Sequence, residues 1–342
     1  MWRRAMTSPI LDDLIALTDF HRAACKPYAD YCDTLYPGAR QPRGLADLPF
    51  LPVRAFKDFD LRSVAETDVF KVMTSSGTSG ARSRIYLDRE TAQLQTRTLT
   101  AIFGETFGKA RSPMLVIDSE STVKDRLRFS ARTAAVNGFS IMARERCFAL
   151  DDDMKLNIPR VTEFLQQLEG KRVFIFGFTF LVWQAFCGAL RAQNQKLPLE
   201  NAFLLHGGGW KKLEAEKVSN PQFKAEIAAW TGCVDVRNYY GMVEQTGTIF
   251  MECPEGRLHS SAWSDVLARD IHTHEALPHG KVGLIEVFST IQKSYPGHAL
   301  LTEDMGLTRA ASGCPCGHPG TIVEVHARLP AAEVRGCSDA YN

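Results

Sequence analysis

Four short apolar runs separated by helical stretches constrain the fold of this chain more than any other feature. They are Met114-Leu115-Val116-Ile117-Asp118, Val173-Phe174-Ile175-Phe176-Gly177-Phe178, Ala202-Phe203-Leu204-Leu205 and Val234-Asp235-Val236-Arg237-Asn238-Tyr239. Between them the spacing of apolar residues predicts helices opening at Asn157-Ile158-Pro159, from Leu181 to about Ala192, and from Gln222 to Trp230. Short apolar runs alternating with helices are typical of parallel strands covered on both faces. The alternation therefore predicts β-α-β units, an α/β fold, and ligands at the carboxyl ends of the strands.

The flanks have a different texture. Ser8-Pro9 reads as a helix cap with proline in the first turn, and Ile10, Leu11, Leu14, Ile15 and Leu17 follow at helical spacing. Pro37, Pro42, Pro49 and Pro52 predict an extended connector between Tyr36 and Lys57. A further helix is expected over residues 90–107. After Gly280 the stretches Gly283 to Thr290, His298 to Thr302 and Thr321 to His326 read as short strands joined by Gly and Pro turns. The chain is thus expected to comprise an α/β core over residues 1–280, a β-rich subdomain over 281–328 and a short tail over 329–342.

Charge balance narrows the function. Lys+Arg 40 against Asp+Glu 39 leaves a net charge of +1, so nothing global attracts nucleic acid or an anionic membrane, and any anion site must be local. The start Met1-Trp2-Arg3-Arg4-Ala5 has no apolar run behind it and no segment is long and apolar enough to span a membrane, so a cytoplasmic protein is expected. Nine cysteines, an odd number spread over 342 residues, argue for reduced thiols over a disulfide framework.

The candidate anion site is Thr74-Ser75-Ser76-Gly77-Thr78-Ser79-Gly80, where hydroxyl donors and flexible backbone share one turn between two expected strands. The residues that follow, Ala81-Arg82-Ser83-Arg84, lack the Gly-Lys-Ser/Thr ending of a Walker loop. The same composition also serves an ordinary polar turn. Two expected strands end in comparable material. Leu205 runs into His206-Gly207-Gly208-Gly209-Trp210-Lys211-Lys212, where glycines let backbone approach a flat ligand that His206 or Trp210 would cover; a plain glycine turn is the alternative. Asn238 runs into Tyr239-Tyr240-Gly241-Met242-Val243-Glu244, an aromatic pair and a carboxylate that otherwise serve packing and solvation. Cys253, His259 and Cys314-Pro315-Cys316-Gly317 supply the three sulfurs and one imidazole of a closed Zn²⁺ site, with His318 as a substitute ligand and free thiols in turns as the alternative. Phe174, Phe176, Phe178, Phe180 and Trp183 are suited to lining an apolar tunnel, although core packing is the expected role for most of them.

In this order the motifs resemble those of the adenylate-forming superfamily of acyl-CoA synthetases, adenylation domains and luciferases. Ser75 to Gly80 is similar to its Ser-Gly-Thr-Thr-Gly phosphate loop, and Tyr240-Gly241-Met242-Val243-Glu244 to its aromatic-Gly-x-Thr-Glu motif, with Val243 replacing threonine. The resemblance implies that Tyr239 or Tyr240 stacks on adenine and that Glu244 holds Mg²⁺ against the phosphates of ATP. His206-Gly-Gly-Gly-Trp-Lys resembles the acyl-protein synthetase branch, the fatty-acid-activating component of bacterial bioluminescence operons, and implies that adenine lies against it. Leu301-Thr302-Glu303-Asp304 is similar to the Thr-Gly-Asp motif that binds ribose, with Glu303 in place of glycine. His326-Ala327-Arg328 resembles the Gly-Arg hinge that closes the nucleotide site. Members of the superfamily commonly continue into a further domain carrying a catalytic lysine. This chain stops at Asn342, so the expectation is that most of that domain is lacking and that Lys211, Lys212, Arg82 or Arg84 takes the lysine's place.

The resemblance implies a large α/β adenylate-forming domain that converts a carboxylic acid, fatty by likeness to this branch, into acyl-AMP. Cys337, in Arg335-Gly336-Cys337-Ser338, would then accept the acyl group and deliver it to a partner reductase. A CoA ligase of the phenylacetate type, whose relatives carry similar cysteine and histidine positions, and a non-catalytic nucleotide-binding scaffold are the alternatives.

Overall fold

The computed structural model describes residues 8–38, 41–74, 82–124 and 131–329, apart from the side chains of 131, 211, 212 and 214. Helices α1 (Leu11–Ala24) and α2 (Lys26–Leu35) open the chain, followed by strand β1 (Leu51–Pro52), α3 (Ala55–Asp58), β2 (Lys71–Thr74) and β3 (Arg84–Leu87). Next come α4 (Arg89–Phe107), β4 (Ser112–Ser119), α5 (Ser121–Lys124), α6 (Ala131–Ser140), β5 (Ala143–Leu150) and α7 (Ile158–Gln167). Then follow β6 (Val173–Phe178), α8 (Thr179–Leu181), a π-helical Val182–Cys187, α9 (Gly188–Ala192), β7 (Ala202–Gly207), α10 (Asn220–Thr231) and β8 (Asp235–Tyr240). The rest is mainly strand: β9 (Phe250–Glu252), β10 (Leu258–His259), β11 (Ser264–Arg269), β12 (Ala276–Leu277), β13 (Gly283–Ser289), β14 (Ala299–Arg309) and β15 (Ile322–Arg328).

These elements form two compact units. One contains the described residues up to 99, 242–250 and 257–329; the other contains 100–241 and 251–256. In the second unit β5-β4-β6-β7-β8 form a run of parallel pairs in that order. This is the doubly wound arrangement that the alternation of apolar runs and helices predicts. Every residue of β6 is buried, as a strand covered on both faces requires. Phe174 stacks on Phe203 at 5.0 Å, and Phe176 lies 4.6 Å from Phe139, so the aromatic run is core, as expected for most of it. Asn157 caps α7 by accepting from the Arg160 N–H, and Ser219 and Gln222 form a capping box on α10.

The first unit is built on the antiparallel order β12-β11-β13-β14-β15-β10. Its N-terminal part joins the same structure, because β1 pairs in parallel with β14, Leu51 beside Leu300. Helix α1 buries Leu11 and Leu14 with Leu48, Phe50, Leu284, Phe288 and Leu301. The unit holding the C-terminal strands therefore also takes in the first two helices, which a linear division at residue 280 does not express. The expected cap is displaced: Ile10 is the N-cap residue, and the Ser8 hydroxyl donates to Asp265 at 2.8 Å instead. The proline-rich connector also differs from a purely extended segment, since α3 forms where the prolines stop after Pro52.

Two imidazoles are locked inside this unit. His21 and His298 stack at 5.1 Å, and both are buried. The Gln292 carbonyl can only accept, so His21 carries its proton on Nε2 (2.9 Å) and its Nδ1 accepts from the Ser63 hydroxyl at 2.7 Å. The Thr18 hydroxyl donates to the Leu14 carbonyl at 2.8 Å and so accepts from His298 Nε2–H at 2.9 Å, leaving His298 Nδ1 with no partner in the interior. Burial lowers His21 from 6.5 to about 4, and burial with the neighbouring His21 lowers His298 well below its ordinary value. The unfolded chain therefore binds protons that the folded chain refuses. The stability these residues contribute is complete above about pH 6.5 and is lost as the pH falls toward the folded values. Thermal unfolding midpoints should accordingly fall between about pH 7 and about pH 5, and His21→Asn should flatten that dependence; an unchanged slope would contradict the buried neutral pair.

Candidate functional site

The hydroxyl-rich loop is closed by a hairpin. β2 and β3 are antiparallel, with Thr74 paired to Arg84, so the loop lies between two strands as the sequence suggests. Ser75, Ser76, Gly77, Thr78, Ser79 and Gly80 themselves lie outside the described residues. At the foot of the hairpin, Ser83 is buried while Arg82 and Arg84 are exposed. The Ser83 hydroxyl lies near enough to the Glu244 carboxylate to favour its charged form, within the same unit.

Glu244 occupies a 3₁₀ turn, Val243–Gln245, and is buried at 7% exposure. Burial raises its carboxyl above the ordinary value; its own backbone N–H, the Ser83 hydroxyl and the Arg328 charge oppose that rise, while Glu303 adds to it. The turn is held from behind by Tyr295, whose hydroxyl donates to the Glu244 carbonyl at 2.9 Å. The Gln245 side-chain amide also donates, to the carbonyls of Val287 at 3.1 Å and Gly297 at 2.9 Å. Asp304 and Arg328 are cross-strand partners on β14 and β15, and Arg328 Nε donates to Asp304 at 3.2 Å. Four sequence-predicted elements of the nucleotide site, the loop hairpin, Glu244, Asp304 and Arg328, thus belong to one unit. A buried carboxylate with hydroxyl company is the hard oxygen donor that Mg²⁺ favours, so Glu244 fits that ion.

The second unit carries the glycine turn and the aromatic pair. Register sets Phe178 beside Gly207 and Gly207 beside Tyr239 across the ends of β6, β7 and β8. The Tyr239 ring covers Gly207 so closely that a Cβ there would meet it at 2.5 Å, and a Cβ on Gly208 would meet Phe178 at 2.5 Å. Gly208 and Gly209 have φ of 80° and 69°, which favours glycine, and beside Gly209 the space is open. Tyr239 also lies 5.3 Å from Phe139, on the aromatic core; strand alternation turns Tyr240 to the opposite face, the face of His206. His206 is buried rather than laid over an open surface. Its Nδ1 meets the Thr179 hydroxyl at 2.9 Å, and that hydroxyl also donates to the Gly207 carbonyl at 3.1 Å. Burial, helped by the Lys224 charge, lowers His206 to about 3. Trp210 packs against Trp183 and Phe223. Gly241 follows directly at the end of β8. The side chain of Lys211 and all of Cys337 lie outside the described residues.

Three of the expected zinc ligands converge in the first unit. The ligand atoms of His259, Cys314 and Cys316 lie within 4.8 Å of one another, and His259 Nε2 is 3.6 Å from Cys316 Sγ. A tetrahedral Zn²⁺ with Zn–S of about 2.3 Å and Zn–N of about 2.0 Å places such atoms about 3.5 Å apart. His259 Nδ1 donates to the Gly320 carbonyl at 2.9 Å, the outer hydrogen bond that fixes a ligating tautomer with Nε2 bare. Gly320 is required there, since a Cβ would meet the Ser260 carbonyl at 1.9 Å. Cys253 is buried and falls in the 251–256 segment of the other unit. Among the described cysteines none forms a disulfide.

The sequence reading missed Ser83 and Tyr295. Ser83 appears there only as part of the Arg-Ser-Arg exit of the loop, and nothing in a Ser-Tyr-Pro turn marks Tyr295 as a hydrogen-bond donor to a distant acidic turn.

A family model described as acyl-protein synthetase, LuxE, matches residues 4–342. The long-chain-fatty-acid–luciferin-component ligase of Vibrio harveyi is 25% identical over 327 residues, covering 91% of this chain and 81% of that protein. Its counterpart in Aliivibrio fischeri is 23% identical over 332 residues, covering 93% and 84%. Among solved structures, an open conformation of 2-hydroxyisobutyryl-CoA ligase in complex with 2-HIB-AMP and CoA superposes with a TM-score of 0.72 at 16% identity, covering 93% of this chain and 74% of that one. ATP-bound MatB from Rhodopseudomonas palustris gives 0.52 at 15% identity, covering 78% and 49%. These two share the fold. Among the described residues no helix is long and apolar enough to cross a membrane.

The zinc geometry has a direct check. Purified protein should contain about one Zn²⁺ per chain by elemental analysis, and Cys314→Ser should lose most of it. Full retention of metal by that variant would remove Cys314 from the ligand set.

Proposed function

The chain belongs to the LuxE acyl-protein synthetase family, and from that premise we propose that it activates a long-chain fatty acid with ATP and transfers the acyl group to its own Cys337 for delivery to a reductase. The observation that carries this reading is that the Ser83 hydroxyl, at the foot of the hydroxyl-rich loop, favours the charged form of the buried Glu244 carboxylate. It supports a triphosphate held by Thr74 to Gly80 beside the acid that would hold its cation. When bound at Glu244, Mg²⁺ would neutralise phosphate charge.

Tyr240, on the face of β8 opposite Tyr239, is the member of the aromatic pair that would stack on adenine. The turn His206 to Gly209 offers the backbone edge, open beside Gly209, that a purine needs. Asp304 would accept from the ribose hydroxyls, and Arg328 orients that carboxylate from the facing strand. Lys211 would lie against the carboxylate and α-phosphate. The carboxylate oxygen attacks the α-phosphorus in line, the bond to the bridging oxygen breaks, and pyrophosphate leaves with its electron pair. Cys337, as thiolate, then attacks the acyl carbonyl and expels AMP. His259, Cys314 and Cys316, with Cys253 the fourth ligand the sequence expects, would hold a structural Zn²⁺ apart from this chemistry.

Carboxylate-dependent exchange of pyrophosphate into ATP should be measurable with fatty acids, and Glu244→Gln should reduce it by about 100-fold. Cys337→Ser should keep exchange yet lose covalent labelling by radioactive fatty acid. Undiminished label would remove Cys337 as acceptor, and absence of exchange in the unaltered protein would leave a nucleotide-binding scaffold.

A further inference from the structure

One short segment, residues 292–297, ties the hairpin of the hydroxyl-rich loop to the turn that presents Glu244. The Ser294 hydroxyl donates to the Tyr86 carbonyl on β3 at 2.8 Å, the strand that leaves the loop. The next residue reaches the other way: the Tyr295 hydroxyl donates to the Glu244 carbonyl at 2.9 Å. Two residues on, the Gly297 carbonyl accepts from the Gln245 side chain at 2.9 Å. No bulkier residue fits at Gly297, where a Cβ would meet the Tyr295 ring at 2.3 Å and the Glu244 carbonyl at 3.0 Å.

The segment is itself anchored on its far side. The Ser63 N–H donates to the Ser294 carbonyl at 2.9 Å, and His21 donates to the Gln292 carbonyl at 2.9 Å. Phe56 packs edge-on against Tyr295 at 5.9 Å, and both rings are fully buried. Tyr295 is thus a rigid rod with one polar end, and that end is spent on the main chain of the candidate cation ligand. Ser294 spends its hydroxyl on the main chain of the strand two residues past Arg84.

We propose that Ser294 and Tyr295 are positioning residues that set the spacing between the phosphate-binding hairpin and the Glu244 carboxylate. They touch neither nucleotide nor acid; they act through Tyr86 and Glu244. This inference rests on the reading of the loop and Glu244 as the Mg·ATP site. A role limited to stability would lower the melting temperature without changing how strongly Mg·ATP is held. A positioning role makes the opposite separation, weakening metal-nucleotide binding in a protein that remains folded.

The test is calorimetric titration of the full chain with Mg·ATP, with exchange activity as a second readout. Tyr295→Phe keeps the ring and removes the donor, and it should weaken Mg·ATP binding about fivefold. The same variant should need about fivefold more Mg²⁺ for half-maximal exchange, with the rate at saturating Mg²⁺ reduced less than the binding. Ser294→Ala should show a smaller shift in the same direction, and Ser294→Thr should restore it. Unchanged binding and Mg²⁺ dependence in folded Tyr295→Phe and Ser294→Ala overturns the proposal, as does failure of both variants to fold. Wild-type protein that binds Mg·ATP but shows no exchange overturns the proposed reaction alone, and the binding comparison then still decides the positioning role. Wild-type protein that does not bind Mg·ATP overturns both.

Discussion

The first unit depends on a carboxylate kept away from water. Burying an ionised carboxyl costs several kcal/mol unless charge or hydrogen bonds replace its hydration. At Glu244 the replacement comes from its own backbone N–H, the Ser83 hydroxyl and the charge of Arg328, against the repulsion of Glu303. The surrounding chain is shaped to hold that costly group still. A 3₁₀ turn presents it, a tyrosine and a glutamine hold the turn's backbone, and a glycine lets them approach. Such a group stores a demand for positive charge.

Much of the architecture was legible because the apolar runs are continuous. Val173 to Phe178 has no polar position, and only a strand covered on both faces buries six residues in succession. The edge strand Ala143–Leu150 was not legible, because Arg144, Glu145 and Arg146 break the run where the strand meets solvent. The association of the first helices with the C-terminal strands was invisible for another reason: the Leu51 to Leu300 pairing is two residues long, below anything periodicity can register.

The candidate site was legible as composition and not as geometry. Glycines and hydroxyls mark a candidate anion site, and the order of the motifs pointed to the family. What they could not tell is that Tyr239 is committed to the core while Tyr240 turns to the other face, or that His206 is sealed in with Thr179. Those facts follow from strand register, which a linear reading does not contain. The candidate zinc ligands show the reverse case. Cys314-Pro315-Cys316-Gly317 is readable as a knuckle from four letters, and the carbonyl of Gly320 that orients His259 adds the outer contact expected of a ligand.

The parallel pairing of Leu51 with Leu300 also bears on how the chain is made. A ribosome emits the first helices and β1 long before their partner strand exists, whereas residues 100–241 leave the tunnel as one uninterrupted block. That block has its whole parallel sheet within reach at once and can close early. The opening segment must wait with part of its apolar helix face uncovered until β13 and β14 emerge. Its exposure to chaperones and proteases is therefore set by the speed of translation more than by the strength of its final contacts.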